Sequence, residues 1–406
     1  MRILFFTPYL PGPPVFGGQR RIHGLMTALA KSHEVSLLSL VDASADLTEG
    51  LGDATQYCRE VITVPDRRHR VSGKLKRVLQ IRSLFSRHSW ERKLHRRPAL
   101  QKALDAHLSN SHYDIINCEF AFMGGYRFRP LSPAKLVLDA HNIEYDILRR
   151  TALATRFDRR LFNSLNYRKL KREELAAWMR FDGCAFTSER DQEIALREVP
   201  AARTTVVPNG VDIDVFKPNE AVSSTPGTVL FFGAINYFPN TDAVLFLLRE
   251  VVPLLLKQHP NLVFRVAGPG APPEIKALAS DRVQIVGFVN DLPAEIAKAS
   301  IVVAPLRIGG GTRLKIVEAM AMAKPVVATT IGSEGLDVQH EHDILIADSP
   351  SELALQIGRL LDDAALARRL GQTARKTAEA KYSWTAAAQK LASFYSGLLE
   401  RTHEAS

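Results

Sequence analysis

The sequence predicts an α/β protein built from two doubly wound, parallel-sheet domains. Three observations carry this. Short apolar runs rich in β-branched and aromatic residues alternate with helical periodicity, the alternation restarts after residue 227, and glycines such as Gly233, Gly268, Gly287 and Gly309 follow several of the runs. With 406 residues, 46% hydrophobic and 24% charged, the chain is long enough for two cores and lacks the composition of disorder.

The first run, RILFFT at 2–7, is β-rich and closed by Pro8. Gly17-Gly18 then precedes a helical stretch that places Ile22, Leu25, Met26 and Leu29 on one face, and a strand at 34–40 completes a βαβ unit. Apolar runs at 114–118, 135–139, 183–187 and 204–207 continue the series. A polar stretch with Pro and Gly, 217–227, interrupts it. A strand TVLFFGA follows, then a helix over about 241–259, then FRVAG, VQIVG, IVVAPL, PVVAT and ILIA. The expected domains are 1–216 and 217–381, followed by an amphipathic helix within 382–406. Because ligands of open α/β sheets sit beyond the carboxyl ends of the strands, the strand-following glycines point both domains' edges at a shared cleft.

The net charge of +10 lies wholly in the first half: residues 1–220 hold 35 basic and 25 acidic side chains, whereas 221–406 hold 18 of each. Residues 67–97 alone carry twelve Lys or Arg against Glu91. Val71, Leu75, Val78 and Leu79 share a helical face there, with Lys74, Lys76 and Arg77 outside it. Such a helix suits an anionic membrane surface, with Phe85 and Trp90 dipping into the interface. A solvated helix pair fits equally. Nucleic acid ranks lower, since no reader module is present. The opening MRILFFTPYL is too short in apolar residues for a signal peptide and no window reaches membrane-spanning length, which predicts a cytoplasmic protein, peripheral to the membrane at most. Cys58, Cys118 and Cys184 follow no metal or disulfide spacing and are expected to be reduced core residues.

The most informative segment is PLRIGGGTRLKIVEAMAMAKPVVAT, 305–329. A strand ends, Gly309, Gly310 and Gly311 bare the backbone, Thr312 caps a helix, and the helix carries Arg313, Lys315 and Glu318. Exposed amides at a helix start, with a dipole and two cations, form an anion site suited to phosphate. A carboxylate such as Glu318 accepts two hydrogen bonds from a vicinal diol such as ribose. Together these describe a nucleotide-diphosphate pocket.

PNGVDIDVFKP (208–218), FFGAINYFPN (231–240), VAGPG (266–270), VGFVNDL (286–292) and above all GGGTRLKIVEAMAMAKPVVATTIGSEGL (309–336) resemble the retaining, nucleotide-sugar-dependent glycosyltransferases of family 4, especially sugar transferases of bacterial exopolysaccharide gene clusters. The resemblance implies the GT-B fold, two facing Rossmann-like domains with a cleft between them and a carboxyl-terminal helix crossing back to the first. It implies transfer of a sugar from a nucleoside-diphosphate sugar to a hydroxyl of a glycan or lipid-linked acceptor, with retained configuration. No cofactor or metal enters, the donor being a substrate. Glu318 would bind the donor ribose, and Gly310 stands where the family usually has a second glutamate, so the amides of Gly310, Gly311 and Thr312 would serve there. A relative's Arg–Lys pair after the 229–233 strand is replaced by a turn holding Asn236, beyond Gly233. Arg307, Arg313 and Lys315 are the nearest substitutes, and Gly268 lines the same edge.

In the first half, DAHN places His141 and Asn142 just beyond a strand. A histidine there can hydrogen-bond a sugar hydroxyl or orient a reacting group. The resemblance makes His141 the residue facing the donor sugar and Gly17-Gly18 the loop near the diphosphate. Glu119 and Asn142 are the acceptor contacts. No GxGxxG opens the first helix, no GxxxxGK[ST] or HExxH occurs, and Asp212-Ile213-Asp214 lies in the linker, so dehydrogenase, P-loop and metal-dependent readings fall away. A catalytically inactive member serving as a membrane-associated binding module is the alternative, motivated by Gly310 and the basic segment.

Overall fold

The computed structural model describes residues 1–66, 73–130, 133–153, 157–219, 224–308 and 313–403. The chain divides into two compact units, Met1–Pro208 together with the chain from Ala387 onward, and Asn209–Ala386.

In the first unit, strands β1 (Arg2–Thr7), β2 (Glu34–Asp42), β3 (Glu60–Asp66), β4 (Ile115–Glu119), β5 (Lys135–Ala140), β6 (Gly183–Phe186) and β7 (Thr204–Val206) form one parallel sheet in the order β3-β2-β1-β4-β5-β6-β7. In the second, β8 (Thr228–Phe232), β9 (Val263–Ala267), β10 (Val283–Gly287), β11 (Ile301–Ala304), β12 (Val326–Ala328) and β13 (Leu345–Ile346) form another, ordered β10-β9-β8-β11-β12-β13 and also parallel. Strand direction of travel reverses between β1 and β4 and again between β8 and β11. Those are the crevices where open α/β sheets receive ligands.

The strands are nearly continuous apolar runs because both faces are covered: β4 and β8 are buried at every residue. Helix faces such as Ile22, Leu25, Met26 and Leu29 supply the matching layer. The expected α/β architecture is what forms. Strand β3 escaped the sequence reading because it adjoins the basic segment, yet it pairs with β2 over seven residues. Gly17 and Gly18, expected in a loop, begin the helix Gly17–Ala30.

The division falls earlier than the boundary expected at 216/217. Val211 exchanges backbone hydrogen bonds with Tyr382 and Trp384, and Arg375 donates to the carbonyls of Ile213 and Phe216. Residues 209–216 are thereby tied into the second unit. The final helix, Trp384–His403, begins there and enters the first unit at Ala387, so the expected turnover at 381/382 moves a few residues on.

Candidate functional site

At the β1/β4 switch of the first unit, the strand ends converge on a buried polar cluster. Arg21, on the first helix, lays its guanidinium on Asp139 at the end of β5: Nη2 donates to Oδ1 at 2.7 Å, Nε to Oδ2 at 3.0 Å, and Nη1 to the Val207 carbonyl at 2.9 Å. Both side chains are fully enclosed. Glu119, at the end of β4, has both oxygens engaged, Oε1 accepting from Asn117 Nδ2 at 2.7 Å and Oε2 lying 2.6 Å from His141 Nε2. Tyr395, on the final helix, donates to Asn117 Oδ1 at 2.8 Å. A hydrogen-bonded chain Tyr395–Asn117–Glu119–His141 results.

One guanidinium serves two buried carboxylates. Burial, followed by the charge of Asp139, pushes Glu119 well above the usual carboxylate range, while burial and Arg21 hold His141 well below its ordinary value. The imidazole is therefore neutral, with Nε2 committed to Glu119 and Nδ1 left for another partner. Phe120 fixes the ring from one side: the two centroids are 3.8 Å apart, and Phe120 holds φ at +67°, a conformation that costs about 1–3 kcal/mol outside glycine. Its own N–H donates to the Asp139 carbonyl at 3.0 Å. Three ligand-type atoms of Glu119, Asp139 and His141 lie within 4.8 Å of one another. The positive charge this set requires is already present as Arg21.

Glu119 was expected to touch the acceptor, but it is buried with both oxygens taken and acts instead as the support of His141. Asn142 hydrogen-bonds the carboxyl of Glu144, which burial and the neighbouring Glu91 push up to about 7. Gly18 permits the approach of Tyr9, since a Cβ there would stand 2.1 Å from the phenol oxygen. Asp212 Oδ1 caps the amides of Asp214 and Val215, a structural turn. Cys118 and Cys184 are buried and Cys58 half-buried, all free thiols.

At the β8/β11 switch of the second unit, backbone approaches backbone. Gly233 (φ +145°) follows β8 and Gly268 (φ +140°) follows β9, and a Cβ on Gly268 would stand 1.7 Å from the Gly233 carbonyl oxygen. Asn236 lies against Gly270 and is exposed. Lys315 reaches back from the helix Leu314–Ala321 to this turn. Its Nζ donates to Asn240 Oδ1 at 2.6 Å, sits 4.1 Å from the centre of the Phe231 ring, and would be 3.3 Å from a Cβ on Gly233. Asn240 is oriented by donating its own amide to the Ala234 carbonyl at 2.8 Å. Desolvation, with help from Arg313, lowers the Lys315 ammonium to about 7. Glu318 is buried on the same helix, and Arg313 is its N-cap. The expected contacts of Gly309, Gly310, Gly311 and Thr312 lie outside the described residues.

Arg307 is not part of this arrangement. Its fork closes on Asp242, with Nη2 to Oδ1 at 2.7 Å and Nε to Oδ2 at 3.0 Å, and its plane covers Phe246 at 4.5 Å. That bidentate pairing takes up the charge proposed from sequence for a diphosphate.

In the basic segment the helix is Gly73–Leu84, and Arg67, Arg68 and Arg70 lie outside the described residues. The exposed apolar side chains are Val78, Ile81 and Phe85, the last 89% exposed, while Leu79 is half-buried, and the expected contributions of Val71 and Leu75 to the face lie outside the described side chains. Trp90 is buried instead of available to an interface, its backbone N–H donating to Asn166 Oδ1 at 2.9 Å. No helix among the described residues is long and apolar enough to cross a membrane.

Sequence reasoning missed Arg21, Asn117, Tyr395, Phe120 and Asn240. Only Arg21 left a trace, a cation sharing a helix face with Leu25 four residues on.

Comparison with known proteins places these two sites in context. Residues 15–215 match the family model Glycosyltransferase Family 4, and 226–363 match Glycosyl transferases group 1. The putative glycosyltransferase YtcC of Bacillus subtilis is 26% identical over 245 residues, 52% of this chain and 59% of the relative. The lipopolysaccharide core biosynthesis mannosyltransferase LpcC of Rhizobium leguminosarum is 29% identical over 241 residues, 54% of this chain and 66% of the relative. The chain thus spans less than two thirds of either relative's length. Among solved structures, sucrose-phosphate synthase from Thermosynechococcus elongatus superposes with a TM-score of 0.71 at 20% identity, covering 99% of this chain and 100% of that one. HepE of Anabaena in complex with UDP-glucose gives 0.68 at 17%, covering 98% and 100%. With a family-4 domain in its first half, a group-1 domain in its second and the matching pair of parallel sheets, the chain belongs to the family-4 glycosyltransferases of GT-B fold.

Proposed function

We propose that the protein transfers a sugar from a nucleoside-diphosphate sugar to a hydroxyl of a glycan or lipid-linked acceptor, with retention of configuration. The observation that carries this is Lys315: an ammonium withdrawn from bulk water, aimed at the glycine turn after β8 and held by a neutral amide and an aromatic face. Such a cation gains most when an anion arrives. In this reading Lys315, Arg313 and the dipole of the helix Leu314–Ala321 stabilise the diphosphate as it leaves, an electrostatic contribution that dominates group transfers of this kind. Glu318 accepts hydrogen bonds from the ribose. The neutral His141, fixed by Glu119 and Phe120, uses Nδ1 toward a hydroxyl of the sugar. The leaving phosphate takes the acceptor's proton, and retention rests on the family resemblance.

The test is calorimetry against a panel of nucleotide sugars, with release of free nucleoside diphosphate as the turnover readout. Glu318→Ala removes one or two hydrogen bonds to a charged group, about 1.5–3 kcal/mol each, and donor affinity falls at least tenfold. Unchanged affinity overturns the assigned site. Absence of turnover with any donor, even with lipid-extracted acceptors, favours the inactive binding module.

The stripe Val78, Ile81 and Phe85, rimmed by exposed Lys76, Arg77, Arg82 and Arg87, supports a second element of the reading, attachment to an anionic membrane surface. Phe85→Ser with Ile81→Ser should reduce sedimentation with phosphatidylglycerol vesicles. Unaltered sedimentation removes the membrane from the proposal.

A further inference from the structure

A cavity of about 380 Å³ opens in the first unit where the helix Pro98–Leu108 begins. Its wall carries Arg96, Arg97, Lys102 and Arg127 against Asp105. Arg97 is compensated, with Nε 2.9 Å from Asp66 Oδ1. Asp105 accepts from Gln101 Nε2 at 2.9 Å, keeps its own charge and offsets part of the positive charge on this wall. Arg96, Lys102 and Arg127 have no carboxylate partner among the described residues, so three like charges share one concavity. The same Gln101 holds Arg127 in place, donating to its carbonyl at 2.9 Å and accepting from its N–H at 3.0 Å. The helix start adds its dipole, with no side chain capping it. Repelling cations held together are unfavourable until an anion fills the space between them, and guanidinium forks match a phosphoryl group in pairs.

The cavity is also connected to His141. Tyr126, on its wall, donates to the His95 carbonyl at 2.6 Å and accepts from the Arg97 N–H at 2.7 Å. The His95 ring stacks on Phe122 (4.3 Å), Phe122 on Phe120 (5.0 Å), and Phe120 lies on His141 (3.8 Å). Three stacked rings, His95, Phe122 and Phe120, lead from beside the basic cavity to the histidine assigned to the reacting sugar.

We propose that this cavity binds the phosphate of a phosphorylated acceptor, whose sugar extends along the His95–Phe122–Phe120 file toward His141. The anion site stands on its own geometry, and only the word acceptor rests on the glycosyl-transfer reading.

The experiment titrates the full chain with glucose 1-phosphate and with inorganic phosphate, in a Lys315→Met background that removes the phosphate site of the second unit. Arg96→Gln, Lys102→Gln and Arg127→Gln combined should weaken glucose 1-phosphate binding at least tenfold with an unchanged melting temperature, since all three side chains are exposed and have no ion-pair partner among the described residues. Phe122→Ala should erase the preference for glucose 1-phosphate over inorganic phosphate. Equal affinity in the triple variant and its parent overturns the proposal. So does a triple variant that loses sedimentation with phosphatidylglycerol vesicles while keeping glucose 1-phosphate binding, because the charges then serve a membrane headgroup. If no nucleotide sugar is turned over yet the cavity still binds phosphate, the transfer reading fails and the anion site stands.

Discussion

Donor affinity should fall steeply as pH rises above neutrality, and Lys315 should be the cause. Its ammonium is lowered to about 7 by desolvation, so the free protein holds the charge below that pH and loses it above. A diphosphate binds the charged form. With a midpoint near 7, the charged fraction drops from roughly a quarter at pH 7.5 to about one hundredth at pH 9, and the dissociation constant rises roughly 20-fold, about 2 kcal/mol. The window begins at pH 7.5 so that the ligand's own phosphate is already ionised. Calorimetry with the best-binding nucleoside diphosphate, run in two buffers of different ionisation enthalpy, should also register uptake of about 0.8 proton per binding event at pH 7.5. Lys315→Met should flatten both. A wild-type affinity that is level from pH 7.5 to 9, or a slope that survives Lys315→Met, refutes the assignment. Stability has the opposite sign. The unfolded chain keeps this proton up to its ordinary value of 10.5 while the folded chain releases it near 7, so folding gains from Lys315 as pH rises through that interval. Below pH 7 the buried charge is a net cost, and Lys315→Met should raise the melting temperature there.

Two further outcomes follow from the first unit's cluster. Arg21→Met leaves Asp139 buried without its cation, which should cost about 3–5 kcal/mol in urea unfolding; a loss below 1 kcal/mol would show that the carboxylate is neutral in the folded protein. Tyr395→Phe frees the Asn117 amide to turn and should cost only about 1 kcal/mol of stability, yet lower kcat several-fold and shift its pH profile while leaving the donor KM unchanged; a fall in stability alone would reduce Tyr395 to packing.

The sheets were legible because both faces of each are buried, which turns their strands into apolar runs that local sequence displays, as in 228–232 and 301–304. Gly233 and Gly268 were legible as glycines after strands, although the reason, a carbonyl 1.7 Å from where a side chain would begin, is a contact between two strand ends 35 positions apart. His141 could be found because its strand announces it. Its supports could not: Arg21 lies 118 positions from Asp139, and Tyr395 lies 278 from Asn117. An arginine on an amphipathic helix reads as surface until the facing strand is known. Arg307 misled for the same reason, since Asp242, 65 positions earlier, neutralises it.

The distribution of charge acquires its meaning only from where each cation ends. Arg21 is held by Asp139 with Glu119 beside it, and Arg307 by Asp242 with Glu250 beyond, so each cation is already met by carboxylate charge. In the neutral second half, Lys315 meets an amide and a ring, neither of which cancels its charge, and the Glu318 carboxylate offsets it only in part. In the basic first half, Arg96, Lys102 and Arg127 line one cavity with only Asp105 against them and with no ion pair among the described residues. A net charge sums all of these alike, although a paired buried ion attracts an incoming anion weakly and an uncompensated one strongly. The excess of +10 thus says less about phosphate recognition than four side chains do, one of them in the half whose charges balance.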